Sequence, residues 1–198
     1  MRYWGRGSTV VLALACGLAA AQTPGAKAVS KKAAAHRTNE LTLAGLRPGR
    51  DSKSRAILLY RKPQAAKDAQ DAQLSWAGGC NTQTLTMDVD DHDKIQVIRA
   101  TAVENRGVLL DCKSVQPALW KTGHGLRVGD PSARVTELYG EPDSRSPSTR
   151  DGQPLELWYY AFDWAGADVP QVMEVLCTVE KDGQPGHVVE ITLAAPSL

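Results

Sequence analysis

Phenylalanine occurs once in 198 residues, methionine three times, and the four cysteines at 16, 80, 112 and 177 include no CxxC pair. Structural zinc and dithiol redox centres both need close thiolates, so this spacing speaks against either. There is no G-x-S-x-G, no H-E-x-x-H and no phosphate-cradling glycine loop. The four histidines, His36, His92, His124 and His187, are scattered over polar segments. These absences favour a protein that is not an enzyme and uses no cofactor or metal. The competing reading is a small secreted hydrolase or ligand-binding protein, which would need an enclosed polar pocket setting His124 or His187 beside an acid. Charge of one sign is lacking too, since the formal net charge is +1. Nucleic acid is therefore not expected as a partner.

What is present begins with a leader. Arg2 and Arg6 precede the apolar run Val10–Ala20, and Ala19-Ala20-Ala21 before Gln22 has the form of a cleavage site. The run is too short for a permanent membrane span. Residues 1–21 are therefore read as a signal peptide, and the protein as periplasmic or secreted. Leu14-Ala15-Cys16-Gly17 offers a second reading, lipidation at Cys16 and an outer-membrane lipoprotein, and membrane contact is expected only in that case. Without the leader, 21 basic residues face 22 acidic ones. Residues 22–39 are Ala-rich and basic, with Lys27, Lys31, Lys32 and Arg37 and few large apolar groups, so they read as a flexible tether.

The rest is organised around an internal match. Gly125–Pro142, GLRVGDPSARVTELYGEP, aligns with Gly45–Pro63, GLRPGRDSKSRAILLYRKP, at nine of eighteen positions when Lys53 is gapped. Such self-similarity predicts a duplicated unit, here 40–112 and 113–198. In the first copy Asp51 or Ser52 caps a helix with Ala56, Leu59 and Tyr60 as its apolar stripe. In the second, Asp130 caps, Pro131 takes the first helical position, Val135, Leu138 and Tyr139 form the stripe, and Gly140 and Pro142 end it. Period-two patterns then predict strands at 74–77, 82–89, 94–101, 155–162, 171–180 and 187–193, with a further candidate at 107–112. Ser144–Gln153 reads as a turn-rich loop. The predicted fold class is α+β: two tandem repeats of short helices followed by an antiparallel β-meander, with helices packed on one face of the sheet.

Gly125, Leu126, Gly129, Val135, Leu138, Gly140 and Pro142, followed by Trp158 and Tyr159, resemble the SmpA/OmlA (BamE-type) small outer-membrane lipoproteins. Tandem duplication of such a unit is similar to the β-lactamase-inhibitor-protein fold. The first copy departs from the pattern, with Arg61 where Gly140 stands. The resemblance implies envelope scaffolding or inhibition, that is, a protein partner in the cell envelope or a secreted enzyme, and no cofactor.

Trp158, Tyr160, Phe162 and Trp164 alternate along one strand and so share a face. If helices cover only the other face, these four form an open partner-binding surface, because Trp and Tyr anchor interfaces. Asp88, Asp90, Asp91, His92 and Asp93 suggest a hard cation, but they lack the turn glycine and distal glutamate of a calcium loop and read as a solvated hairpin turn. Cys177 alternates with Met173 and Val175 and belongs in a core. That leaves Cys80 and Cys112 as the expected disulfide, worth roughly 3 kcal/mol through loop closure.

Overall fold

The computed structural model describes residues 38–64, 73–78, 82–103, 119–163, 171–180, 183 and 185–196. The leader, the tether up to residue 37, Cys16, Cys80, Cys112, Trp164 and the candidate strand at 107–112 lie outside them. The described elements are helix α1 (Lys53–Tyr60), strands β1 (Gln73–Gly78), β2 (Gln83–Val89) and β3 (Ile95–Ala102), helix α2 (Ser132–Tyr139), and strands β4 (Ser144–Arg150), β5 (Gln153–Phe162), β6 (Gln171–Thr178) and β7 (Val188–Ala194).

All seven strands join one antiparallel sheet in the order β1-β2-β3-β7-β6-β5-β4. This overturns the expected fold class of two helix-plus-meander repeats. The last strand pairs with β3, Ile98 opposite Leu193 and Ala100 opposite Ile191, so neither half closes a sheet of its own. The physical reason lies in the helices, each of eight residues. Helices that short have little apolar surface, and a single merged sheet gives both of them one shared core to cover.

The matched segments share local geometry. Leu46 and Leu126 are fully buried. The Gly49 N–H reaches the Ile95 carbonyl at 2.7 Å, and the Gly129 N–H reaches that of Val188 at 2.7 Å. Asp130 does not cap α2 as expected; Pro131 holds the cap position without a side-chain bond. The Asp130 carboxylate turns back to accept from the Arg127 N–H at 2.9 Å, just as Asp51 accepts from Arg47 at 2.7 Å. Ser52 does cap α1, accepting from the Arg55 N–H.

Each helix ends on a residue with positive φ: Gly140 at 77°, ψ −165°, and Arg61 at 66°, ψ −164°. That region is close to glycine-only, and a side chain there stores about 1–3 kcal/mol. Arg61 is exposed, so Arg61→Gly removes strain and no packing. We expect a gain of about 1 kcal/mol after the entropic cost of glycine, seen as a melting temperature about 2–4 °C higher in thermal denaturation.

Cross-strand register shows where the core sits. One row runs Trp76, Leu85, Ala100, Ile191, Val175, Trp158 and another Leu74, Met87, Ile98, Leu193, Met173, Tyr160. Every member is buried. Both helices pack on this face, Tyr60 of α1 against Trp76 at 5.7 Å between ring centroids and Tyr139 of α2 against Tyr160 at 5.9 Å.

Ser144–Arg150 is a strand and not the expected loop. It is the sheet's edge, with Asp151 (φ 50°) and Gly152 (φ 77°) forming the two-residue turn into β5. Pro147 in its middle costs little at an edge, where the missing N–H would face outward, and it blunts the edge against further strand pairing.

Candidate partner-binding face

Three of the four aromatic residues expected on an open surface lie in the core. Trp158 is 5% exposed, and Tyr160 and Phe162 are fully buried. Tyr160 and Phe162 stack at 6.1 Å under Tyr139, and the Tyr160 hydroxyl donates to the Gly140 carbonyl at 3.1 Å. Trp158 alone of the three borders a cleft, of about 500 Å³, between α2 and β4–β5. There the Arg145 guanidinium lies 4.1 Å over its ring, and its indole N–H donates to Glu156. The helices back this aromatic parity. On the other parity the helices leave Leu157 and Tyr159 uncovered, while Leu155 is itself only 5% exposed.

On that opposite face the register builds two further rows. One runs Ser144, Tyr159, Glu174, Thr192, Arg99, Thr86, Ser75; the next runs Ser146, Leu157, Leu176, Glu190, Thr101, Thr84, Ala77. Leu157, Leu176, Tyr159 and Val172 are half-buried, and none of the described helices packs on them. An apolar strip with an aromatic member, set in a field of Ser and Thr, has the make-up of a contact surface.

A charged hub closes one end of the strip. The Glu190 carboxylate, 14% exposed, meets Arg99 at 3.5 Å and Arg150 at 2.5 Å. It also accepts from the Thr101 hydroxyl at 3.0 Å. Arg150 is on β4 and Glu190 on β7, with β5 and β6 between them. Three strand spacings amount to about 14 Å in a flat sheet. Direct contact therefore requires the β4–β5 tip to curl toward the face that no described helix covers. Asp151 and Gln153 of the tip accordingly share a cavity of about 170 Å³ with Ala102 and Val103 at the end of β3. The face is concave at this end, and its curvature is held by an ion cluster.

Sequence reasoning missed a second polar centre altogether. Glu40 is 1% exposed. Its Oε1 accepts the N–H groups of Leu41, Thr42 and Gly123, each at 2.9 Å, and its Oε2 that of His124 at 3.1 Å. The Tyr139 hydroxyl lies 2.7 Å from Oε2 and 2.6 Å from Thr122 Oγ1. A phenol has one proton; given to the carboxylate, it leaves the Thr122 hydroxyl to donate back. Burial, then the neighbouring carboxylate, raise Tyr139 above the ordinary phenol range. Gly123 is required here, since a Cβ would stand 2.7 Å from Glu40 Oε1. Although Glu40, Tyr139 and His124 gather an acid, a phenol and an imidazole, the carboxylate's lone pairs are taken by four backbone donors. The His124 ring itself sits edge-on to Tyr139, with Nε2 3.1 Å from the Asn39 carbonyl. The cluster is a clasp between the residues before α1 and the loop before α2.

Asp90, Asp91 and His92 bring potential ligand atoms within 4.8 Å of one another. Asp90 is committed to the turn, accepting from the N–H of Lys94 at 2.8 Å and of His92 at 2.9 Å; the first of these contributes most to holding its carboxyl below the usual range. Cys177 is a buried free thiol that burial pushes up to about 12. His187 bonds the Thr178 hydroxyl through Nδ1 at 3.0 Å.

No family model and no curated protein sequence matches the chain. Among solved structures it is similar to a DUF4309-family protein from Bacillus subtilis, with 11% identity and a TM-score of 0.44 over 79% of this chain and 87% of that one. It is also similar to a cysteine-rich secretory protein from Staphylococcus aureus, with 11% identity and a TM-score of 0.39. The match covers 80% of this chain and 48% of the staphylococcal one, so the chain spans about half of that protein's length. Neither description names an SmpA/OmlA-type or inhibitor-type protein.

Proposed function

We propose that the chain is a non-enzymatic protein-binding module of an exported compartment, an envelope scaffold or inhibitor-like protein, and that it engages its partner through the helix-free sheet face. The observation that carries this reading is the half-buried strip of Leu157, Leu176, Tyr159 and Val172 beside the Arg99–Glu190–Arg150 cluster. Leu and Val supply desolvation, Tyr an amphipathic anchor, and the ion cluster a fixed charge pattern for register. The surface replaces the Trp158, Tyr160 and Phe162 face, whose side chains are spent on the core.

Affinity capture from native envelope extract, with Leu157→Ser/Tyr159→Ser as the comparison, tests the reading. Loss of two central contacts is expected to lower retention of the partner at least about ten-fold. Near-UV circular dichroism should remain that of the parent. A well-folded parent that captures no protein, or a double variant that captures as well as the parent, would sink the proposal.

A further inference from the structure

Helix α1 presents to solvent what a helix this short needs for packing. Ala56 and Tyr60 take the sheet side. Leu58 is then 74% exposed, and Ile57 and Leu59 are 37% and 38% exposed. Leu119, 56% exposed, lines one shallow depression together with Leu59, Ala44 and Lys121. The aligned segment of α2 supplies an internal control. Opposite Ile57, Leu58 and Leu59 it has Thr136, Glu137 and Leu138, and opposite Lys62 it has Glu141. Leu138 packs against the core. One helix is polar outside, with Arg134 and Glu137 paired at 3.0 Å, the other aliphatic and basic.

The basic character is concentrated around the aliphatic patch. Arg47–Lys62 holds six basic residues and one acid, Asp51, whose carboxylate accepts from the Arg47 backbone. Arg55 lies one turn before Leu58 and Leu59 on the same helix side. Arg61 and Lys62 follow the helix directly, and all three are exposed without an ion pair to another described residue. Lys53 meets Asp93 only at 4.0 Å.

We propose that this face docks on an anionic phospholipid surface, with Ile57, Leu58, Leu59 and Leu119 entering the acyl boundary and Arg55, Arg61, Lys62 and Lys121 at phosphate level. Aliphatic residues in a cationic collar fit a continuous anionic surface. A protein hot spot would instead favour Trp, Tyr and Arg in a pocket. No helix among the described residues is long and apolar enough to cross a membrane, so the contact is interfacial. It lies on the helix side of the sheet, away from the proposed partner-binding face, and needs no lipid on Cys16.

The test is flotation of the chain from Gln22 to Leu198 with vesicles of phosphatidylcholine alone or mixed with phosphatidylglycerol. Binding is expected only to the mixed vesicles and should weaken as salt is raised. Leu58→Glu should lower the apparent affinity at least about ten-fold, and Arg55→Glu/Lys62→Glu by more than about twenty-fold, each lost cation being worth roughly five-fold. Glu137→Lys on α2 should change it little. These positions are exposed, so near-UV circular dichroism should not change. Equal binding to both vesicle types, no binding to either, or a Leu58→Glu variant that floats like the parent would overturn the proposal; the last result would assign the attraction to basic charge elsewhere in the chain.

Discussion

Glu40→Ala is expected to lower the melting temperature by about 10 °C. The carboxylate gathers six donors from three separate stretches: the N–H groups of its own two successors and the Thr42 hydroxyl, the N–H groups of Gly123 and His124, and Tyr139 at the end of α2. Alanine removes the acceptor and leaves these donors in a site only 1% exposed. A buried orphan donor costs about 1–3 kcal/mol, and water admitted to the vacated space will rescue only some of them. A loss of about 4 kcal/mol follows, and each kcal/mol corresponds to about 2–4 °C in a chain of this size. Glu40→Gln separates acceptor loss from side-chain loss. Oε1 accepts three N–H groups, with the Thr42 hydroxyl at 3.4 Å, so the new amide nitrogen takes the Oε2 position. There the Tyr139 hydroxyl can rotate toward Thr122, but the His124 N–H cannot. About half of the alanine effect is expected, and thermal and urea denaturation of both variants measures it. An alanine variant melting within about 2 °C of the parent would show that Glu40 is not a clasp.

Much of the fold was legible because period-two alternation survives where one face is buried. The strands from Leu74 to Ala77, through Leu85 and Met87, and from Leu157 to Phe162 alternate in burial and lie in the sheet; β3 lies in it too, although its buried residues Ile95, Ile98 and Ala100 break strict alternation. β4 was illegible for the same reason. Ser144–Arg150 is an edge strand whose side chains are mostly exposed, so no apolar alternation marks it. The Asp151-Gly152 pair was the available signal, since that dipeptide favours a two-residue hairpin turn. The expectation of two separate helix-plus-meander sheets failed because local similarity between Gly45–Pro63 and Gly125–Pro142 says nothing of strand order. Only the β3–β7 pairing decides that, and it joins residues 89 to 97 positions apart. Glu40 had no local signal at all: its partners Gly123, His124 and Tyr139 lie 83, 84 and 99 residues away. For the candidate site, alternation separated the even from the odd positions of β5 correctly. Which parity the helices cover is a packing decision, and aromatic content favoured the wrong one. Large rings are good interface anchors, but they are equally good at filling the space under two short helices.

Parity along β5 also sets the second large effect, a stability contrast between adjacent residues. Tyr160→Ala is expected to cost about 3–5 kcal/mol, since it empties space beneath Tyr139 and beside Phe162 and abandons the Gly140 carbonyl. Tyr160→Phe should cost only about 1 kcal/mol, the hydroxyl's share. Trp158→Ala is of similar size to Tyr160→Ala, since its ring is 5% exposed and stacked under Arg145. The two together approach the entire stability of a domain this size, about 5–15 kcal/mol, so Trp158→Ala/Tyr160→Ala should be unfolded or molten at room temperature. Leu157 and Tyr159, one residue over on the half-buried parity, should tolerate serine at about 1 kcal/mol each, the loss of partly buried apolar area. Urea denaturation of the single variants measures the contrast. If Tyr160→Ala folded as stably as Leu157→Ser, the aromatic parity would be the open one, and the partner-binding surface would return to Trp158, Tyr160 and Phe162. The alternation predicted instead, costly at 158 and 160 and mild at 157 and 159, requires the helices on the aromatic side and leaves the leucine side without a described helix, as the proposed partner-binding surface needs.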